Sequence, residues 1–210
     1  MIDGVVDTDD YYASRWSNNL LDADKTMCSF YQSCDDAGED GCEFWAPTAD
    51  GIHTNLTRLY ETLKKKPLPV NLSDGRFGLA DHELLRSTVF KALYSPFALF
   101  PPLARALSNL ANGDGRALFS LKSKARFQCN SCGKHSHAFD NVDDGQLAVL
   151  CNDGAEFKGG LEGALRHYHD LSKKSEWGPS WSRYGISCVW VALSFSHDRL
   201  MLNKIPQRLA

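Results

Sequence analysis

The sequence predicts a mainly α chain: one short strand at the start, followed by five or six helices. Three observations predict it. The opening MIDGVVD is a short apolar run that breaks into Asp and Gly, as a buried strand does where it emerges into a loop. Beyond it, apolar residues recur at spacings of three, four and seven, the period of a helix with one buried face. Proline and glycine then punctuate the chain at intervals that suit helix starts and stops, as in Ser95-Pro96 and Asn112-Gly113. With 210 residues, 43% hydrophobic and 23% charged, the chain is long enough for one domain with a real core.

From Asp9 to about Ala37 the pattern is helical, with Trp16, Leu20, Met27, Phe30, Tyr31 and Cys34 on one face. The acidic stretch Asp35–Gly41 breaks it. A second helix runs from about Pro47 to Lys66 and buries Ile52, Leu56, Leu59, Tyr60 and Leu63. Its basic end, Lys64-Lys65-Lys66, suits the carbonyl end of a helix dipole. Pro67 to Leu72 reads as an extended edge segment, since Pro67 and Pro69 exclude a continuous helix. Ser73-Asp-Gly-Arg76 supplies turn chemistry before a third helix, about Ala80 to Tyr94. A fourth spans about Pro101 to Asn112, closed by Gly113. Lys122 to Gly145 reads as a long loop, and Gln146–Cys151 as a brief apolar element of undecided type. Glu156 to about Ser175 reads as helix despite three glycines, and Trp177–Trp190 as helical in its middle.

Charge and hydropathy exclude several classes of partner. A net charge of −3 without a clustered basic face predicts no nucleic-acid binding. No apolar run approaches the roughly 18–20 residues of a membrane span, so no membrane segment is expected. The N-terminus has no charged region followed by an apolar one, and hence no visible signal peptide. Other features point to an oxidising compartment. Seven cysteines are spread along the chain, with Cys34 and Cys42 bracketing a short acidic loop that a disulfide would staple. Two N-x-[ST] sequons, at Asn55 and Asn71, are candidates for glycosylation in a secreted protein.

The segment I-D-G-V-V-D-x-x-D-Y-Y-A-x-R-W-S-x-N-L at positions 2–20 carries a family likeness. It resembles the stretch after the nucleophile helix in fungal and bacterial tripeptidyl aminopeptidase-like α/β-hydrolases, relatives of proline iminopeptidase. Further matches follow in order: Asp22-Ala-Asp24, the Cys34…Cys42-Glu-Phe44 loop, Leu93-Tyr94-Ser-Pro96, Phe100-Pro-Pro-Leu-Ala104, Ala148-Val-Leu-Cys151-Asn-Asp153, Trp181 and Cys188. The resemblance implies a remnant core strand at 1–8, a helical lid over 9–190 and a divergent tail over 191–210. It implies a secreted serine peptidase as the parent protein, with a peptide as substrate and no cofactor. Tyr11, Tyr12 and Trp16 would then border the substrate cleft, although packing is the commoner fate of such aromatics. Asp7, Asp9 and Asp10 could attract a peptide's amino group; a solvated turn with a helix N-cap is the preferred alternative.

The catalytic parts of that family are missing from these positions. The G-x-S-x-G elbow that exposes a nucleophilic serine occurs nowhere in the 210 residues. Gly178-Pro-Ser180-Trp-Ser182 lacks the last glycine, and Ser196-His197-Asp198 sets triad letters side by side where they cannot converge. The chain by itself is therefore expected to be inactive, with no catalytic residue. A reading of a different class rests on Cys129-x-x-Cys132-x-x-His135-x-His137, whose thiolates and imidazoles suit zinc in a non-enzymatic binding module. Against it, Cys129 and Cys132 could join disulfides, with Cys151 or Cys188 as partners, and no metal is the preferred expectation. His167 and His169 lie two apart on a predicted helix and face different sides.

Overall fold

The computed structural model describes residues 5–122 and 142–188. It is mainly helical, with a single two-stranded sheet among the described residues. The described chain divides into two compact units. Residues 23–122 form one, and residues 5–22 together with 142–188 form the other.

The continuous unit opens with α2, Ala23–Gly41, which follows the short α1, Thr8–Tyr12, of the other unit. Met27, Phe30, Tyr31 and Cys34 give α2 its buried stripe. The helix kinks at Gly38, whose φ of 72° lies in the left-handed region that glycine adopts without steric cost. The kink brings Cys42 back to Cys34, and the two form a disulfide with Cα atoms 5.2 Å apart. In the chain-entropy account, closing so short a loop stabilises by about 2.5 kcal/mol. Helix α3, Ala49–Lys65, is capped by the Thr48 hydroxyl accepting from the Gly51 N–H at 3.0 Å. The Asp35 carboxylate ties its start to α2 by accepting from the Ala49 N–H at 3.0 Å. Lys64 and Lys65 do fall in its last turn, with Lys66 as the C-cap.

The extended segment after α3 is β1, Leu68–Asn71, and it pairs antiparallel with β2, Phe77–Ala80, through the Asp74-Gly75 turn. Val70 and Ala80 point inward, while Phe77 and Leu79 stay exposed. Helix α4, His82–Ala92, starts one residue after Asp81, which caps it by accepting from the Leu84 N–H at 2.8 Å. Helix α5, Pro96–Ala111, begins more than a turn earlier than the sequence pattern suggests. Pro96 is preorganised for a first helical turn, so the proline expected to stop the preceding helix instead starts α5, while α4 has already ended at Ala92. Pro101 and Pro102 consequently lie inside the helix.

Helix α6, Arg116–Lys122, is not legible as a helix from seven residues of mixed pattern. Its Leu118 is fully buried, and the helix packs on α4, α5 and the hairpin. The Asp114 carboxylate precedes it, accepts from the Arg116 N–H at 2.9 Å, and is held at about 2 by hydrogen bonding to the Arg116 guanidinium. Gly115 sits where chain and hairpin nearly touch: a Cβ there would lie 2.7 Å from the Ala80 Cβ and 3.1 Å from Val70 Cγ2.

In the second unit, Val5, Val6 and Asp7 are irregular and Thr8 already opens α1, Thr8–Tyr12. The described part of the expected strand over 1–8 is thus not a strand; residues 1–4 lie outside the described residues. A 3₁₀ turn follows at Asn18–Leu20. The single helix expected over residues 9–37 is therefore three pieces, because buried Asp10 recruits the chain after Tyr12 into a tight loop. The undecided segment is α7, Val142–Asp153, which also takes in the last residues of the expected loop. Helix α8 spans Gly160–Lys174, and a ninth helix, α9, covers 178–188. Among the described residues no helix is long and apolar enough to cross a membrane.

Replacing Gly115 with alanine is expected to cost roughly 1–3 kcal/mol, because the backbones of α6 and the hairpin must separate. Gly145→Ala, in α7 with open space around it, should cost nothing and gain up to about 1 kcal/mol from helix propensity. Urea unfolding of the two variants checks the contrast.

Candidate functional site

Residues from both ends of the described chain meet in the second unit. Asp7 caps α1, its carboxylate accepting from the Asp9 and Asp10 N–H groups at 3.0 and 3.2 Å and from Asn18 Nδ2 at 2.7 Å. These donors, the Asp10 N–H first, hold the Asp7 carboxyl below its ordinary range. The N-cap expected of this acidic run is thus Asp7. Asp10 does something the sequence did not reveal. It is 4% exposed, and its carboxylate accepts from the Ser17 hydroxyl at 2.9 Å and the Asn18 N–H at 2.8 Å. Arg15 Nε lies 3.7 Å away, and Lys174 of α8 donates to the same Ser17 hydroxyl at 2.7 Å. With its partners inside the fold, Asp10 is unsuited to meet a substrate's amino group.

The loop that wraps this carboxylate holds two residues in the left-handed region, Ser14 at φ 54° and Trp16 at φ 48°. Each such conformation costs of order 1–3 kcal/mol for a residue with a side chain. Hydrogen bonds over-determine it. The Arg15 and Trp16 N–H groups both donate to the Asp10 carbonyl. Ser14 Oγ donates to the Ala155 carbonyl at 2.7 Å, the Ala155 N–H to the Tyr12 carbonyl at 2.7 Å, and Trp16 Nε1 to the Tyr11 carbonyl at 3.1 Å. Trp181 Nε1, from α9, donates to the Trp16 carbonyl at 2.7 Å. The Tyr11 hydroxyl donates to Asp153 at 3.1 Å; partial burial and then that carboxylate raise the Tyr11 pKa above its ordinary value. Finally, Cys151 is joined to Cys188, with Cα atoms 5.0 Å apart.

The three aromatics singled out as cleft candidates therefore separate. Trp16 is 3% exposed and packs; Tyr11 is half-buried and hydrogen-bonded; Tyr12, 58% exposed, presents its ring to solvent. Because Cys151 and Cys188 take each other, neither serves Cys129 or Cys132, the pairing that had been open to them. Cys129, Cys132, His135 and His137 lie outside the described residues, as do Ser196, His197 and Asp198. Among the described residues no cluster of His, Cys, Asp or Glu could hold a metal ion. Cys28 is exposed and has no disulfide partner among the described residues. Ser180 and Ser182 sit on α9, with the Ser182 hydroxyl donating to the Pro179 carbonyl at 2.9 Å.

His167 and His169 do face different sides of α8. His169 is exposed, whereas His167 lies half-buried edge-on to Phe157, ring centroids 5.3 Å apart. Its Nε2 is buried without a hydrogen-bond partner among the described residues, and burial lowers its pKa below the ordinary imidazole value. The unfolded chain then binds the proton first. The stability His167 contributes is full above its unfolded value and is lost as pH falls from there towards the folded one.

The two sequons differ in setting. Asn71 ends β1 and is exposed. Asn55 is half-buried on α3, within the continuous unit, and lines an open groove of about 490 Å³ between α3, the loop after Cys42 and the end of α5. No family model matches this chain, and no curated protein or solved structure matches it.

Asp10→Ala removes a buried acceptor and strands the Ser17 and Asn18 donors; it should destabilise by about 2–3 kcal/mol. Asp9→Ala, at an exposed neighbour, should stay within about 0.5 kcal/mol. Urea unfolding followed by tryptophan fluorescence compares the two.

Proposed function

We propose that the chain is the helical lid region of an α/β-hydrolase of the tripeptidyl aminopeptidase group, and that its work is to cover a peptide in the cleft of the parent enzyme. One observation carries the reading. Within one unit Tyr11 is hydrogen-bonded to Asp153 and Trp16 to Trp181, up to 165 positions away, and Cys151 is joined to Cys188 by a disulfide. The path of the chain supports the same reading: it leaves that unit near Asp22, builds a helical unit, and returns.

In this account the lid holds the substrate and excludes water, while a serine, a histidine and an acid outside these residues perform the acyl transfer. Exposed Tyr12 is the candidate for contact with peptide. The two disulfides favour an oxidising, extracellular setting for the parent.

The purified chain is expected to take no fluorophosphonate label and to carry no stoichiometric zinc. Stoichiometric labelling at any serine would contradict the absence of a nucleophile. One zinc per chain, lost in Cys132→Ser, would contradict the lid reading in favour of a metal-stabilised binding module.

A further inference from the structure

The groove beside Asn55 is amphipathic. Leu59, Leu68 and Leu110 supply apolar wall, Trp45 an aromatic one, and Arg58 and Asn112 polar groups around it. Its volume of about 490 Å³ falls within the range of small-molecule sites, roughly 300–1,000 Å³. Asn55 belongs to the sequon Asn55-Leu56-Thr57, and Thr57 is exposed. The Asn55 side chain is held from one end only: its Oδ1 accepts from Arg58 Nη1 at 3.3 Å, while Nδ2 makes no hydrogen bond among the described residues. Nδ2 is the atom to which an N-linked sugar attaches.

We propose that Asn55 carries an N-linked glycan whose first N-acetylhexosamine residues lie in this groove. The donor is an oligosaccharide on a lipid pyrophosphate. The bond from Asn55 Nδ2 to the anomeric carbon forms as the bond from that carbon to the pyrophosphate oxygen breaks, and the displaced amide proton leaves with the pyrophosphate. No group is oxidised or reduced. Sugar rings have an apolar face of C–H groups and a rim of hydroxyls, and the groove offers both kinds of surface in one place. Asn71 provides the contrast: it is exposed at the end of a strand and is not among the residues that line this groove.

The proposal rests on passage through a secretory pathway, not on the hydrolase reading. The test is to secrete the full chain from a eukaryotic host, map both sequons by glycopeptide mass spectrometry, and time glycan release by a peptide-N-glycosidase. In the native protein the Asn55 glycan should be released about tenfold more slowly than from the same chain denatured, as expected for a group sheltered by folded structure. Trp45→Ala, which removes a wall, should abolish the delay. Thr62→Trp fills the groove from an exposed helix position without removing a core side chain, and should abolish it too. An unmodified Asn55 overturns the proposal whatever Asn71 carries. Release from the native protein at the denatured rate, or a delay that survives Thr62→Trp, overturns the seating.

Discussion

The Asp10 carboxylate is withdrawn from water, so donors inside the fold must answer it, and most of the second unit follows from where those donors come from. Ser17 and Asn18 can reach it only if the chain doubles back within seven residues of Asp10. That return path forces Ser14 and Trp16 into the left-handed region. The strained loop in turn presents backbone groups that no regular helix would leave free. Trp181 and Ala155, distant in sequence, bind those groups. A single buried charge thereby links α1 to the segment after α7 and to α9. The arrangement illustrates why buried charges are high-stakes: fully partnered they specify one geometry, and deprived of partners they oppose it.

The disulfides act on a different scale. Cys34–Cys42 closes eight residues and fixes a kink already made by Gly38. Cys151–Cys188 spans 37 residues, and in the chain-entropy account its larger loop is worth about 4 kcal/mol. It holds α7 and α9 together in a unit whose buried apolar side chains, among the described residues, are chiefly Trp16, Leu20, Leu171 and Trp177.

Much of the helical unit was legible because its signals are local. Thr48 and Asp81 cap helices where the apolar period begins, and Gly113 closes α5 where Asn-Gly announces a stop. What escaped was non-local. Helix α6 and strand β2 are too short for a period to emerge, and they exist because Leu118, Ala80 and Val70 are buried against one another's elements. Asp10 escaped for the same reason: three aspartates in a four-residue span look alike until tertiary structure buries one. Trp16 had a helical spacing and proved buried, but on a loop rather than a helix. The pairing of Cys151 with Cys188 was unreadable too, since seven cysteines allow many pairings. At the candidate site the order of motifs was visible in the sequence; their meeting in space was not.

On the proposed lid reading, the chemistry belongs to a cleft that needs a nucleophile, a base and an acid from elsewhere. Sequencing the full-length transcript tests the lid reading. The expected result is an in-frame G-x-S-x-G elbow upstream of Met1, with an acid-bearing strand and a histidine encoded after the region of Cys188. A mature protein that begins at Met1 and ends at Ala210, with no such coding sequence on either side, would contradict it.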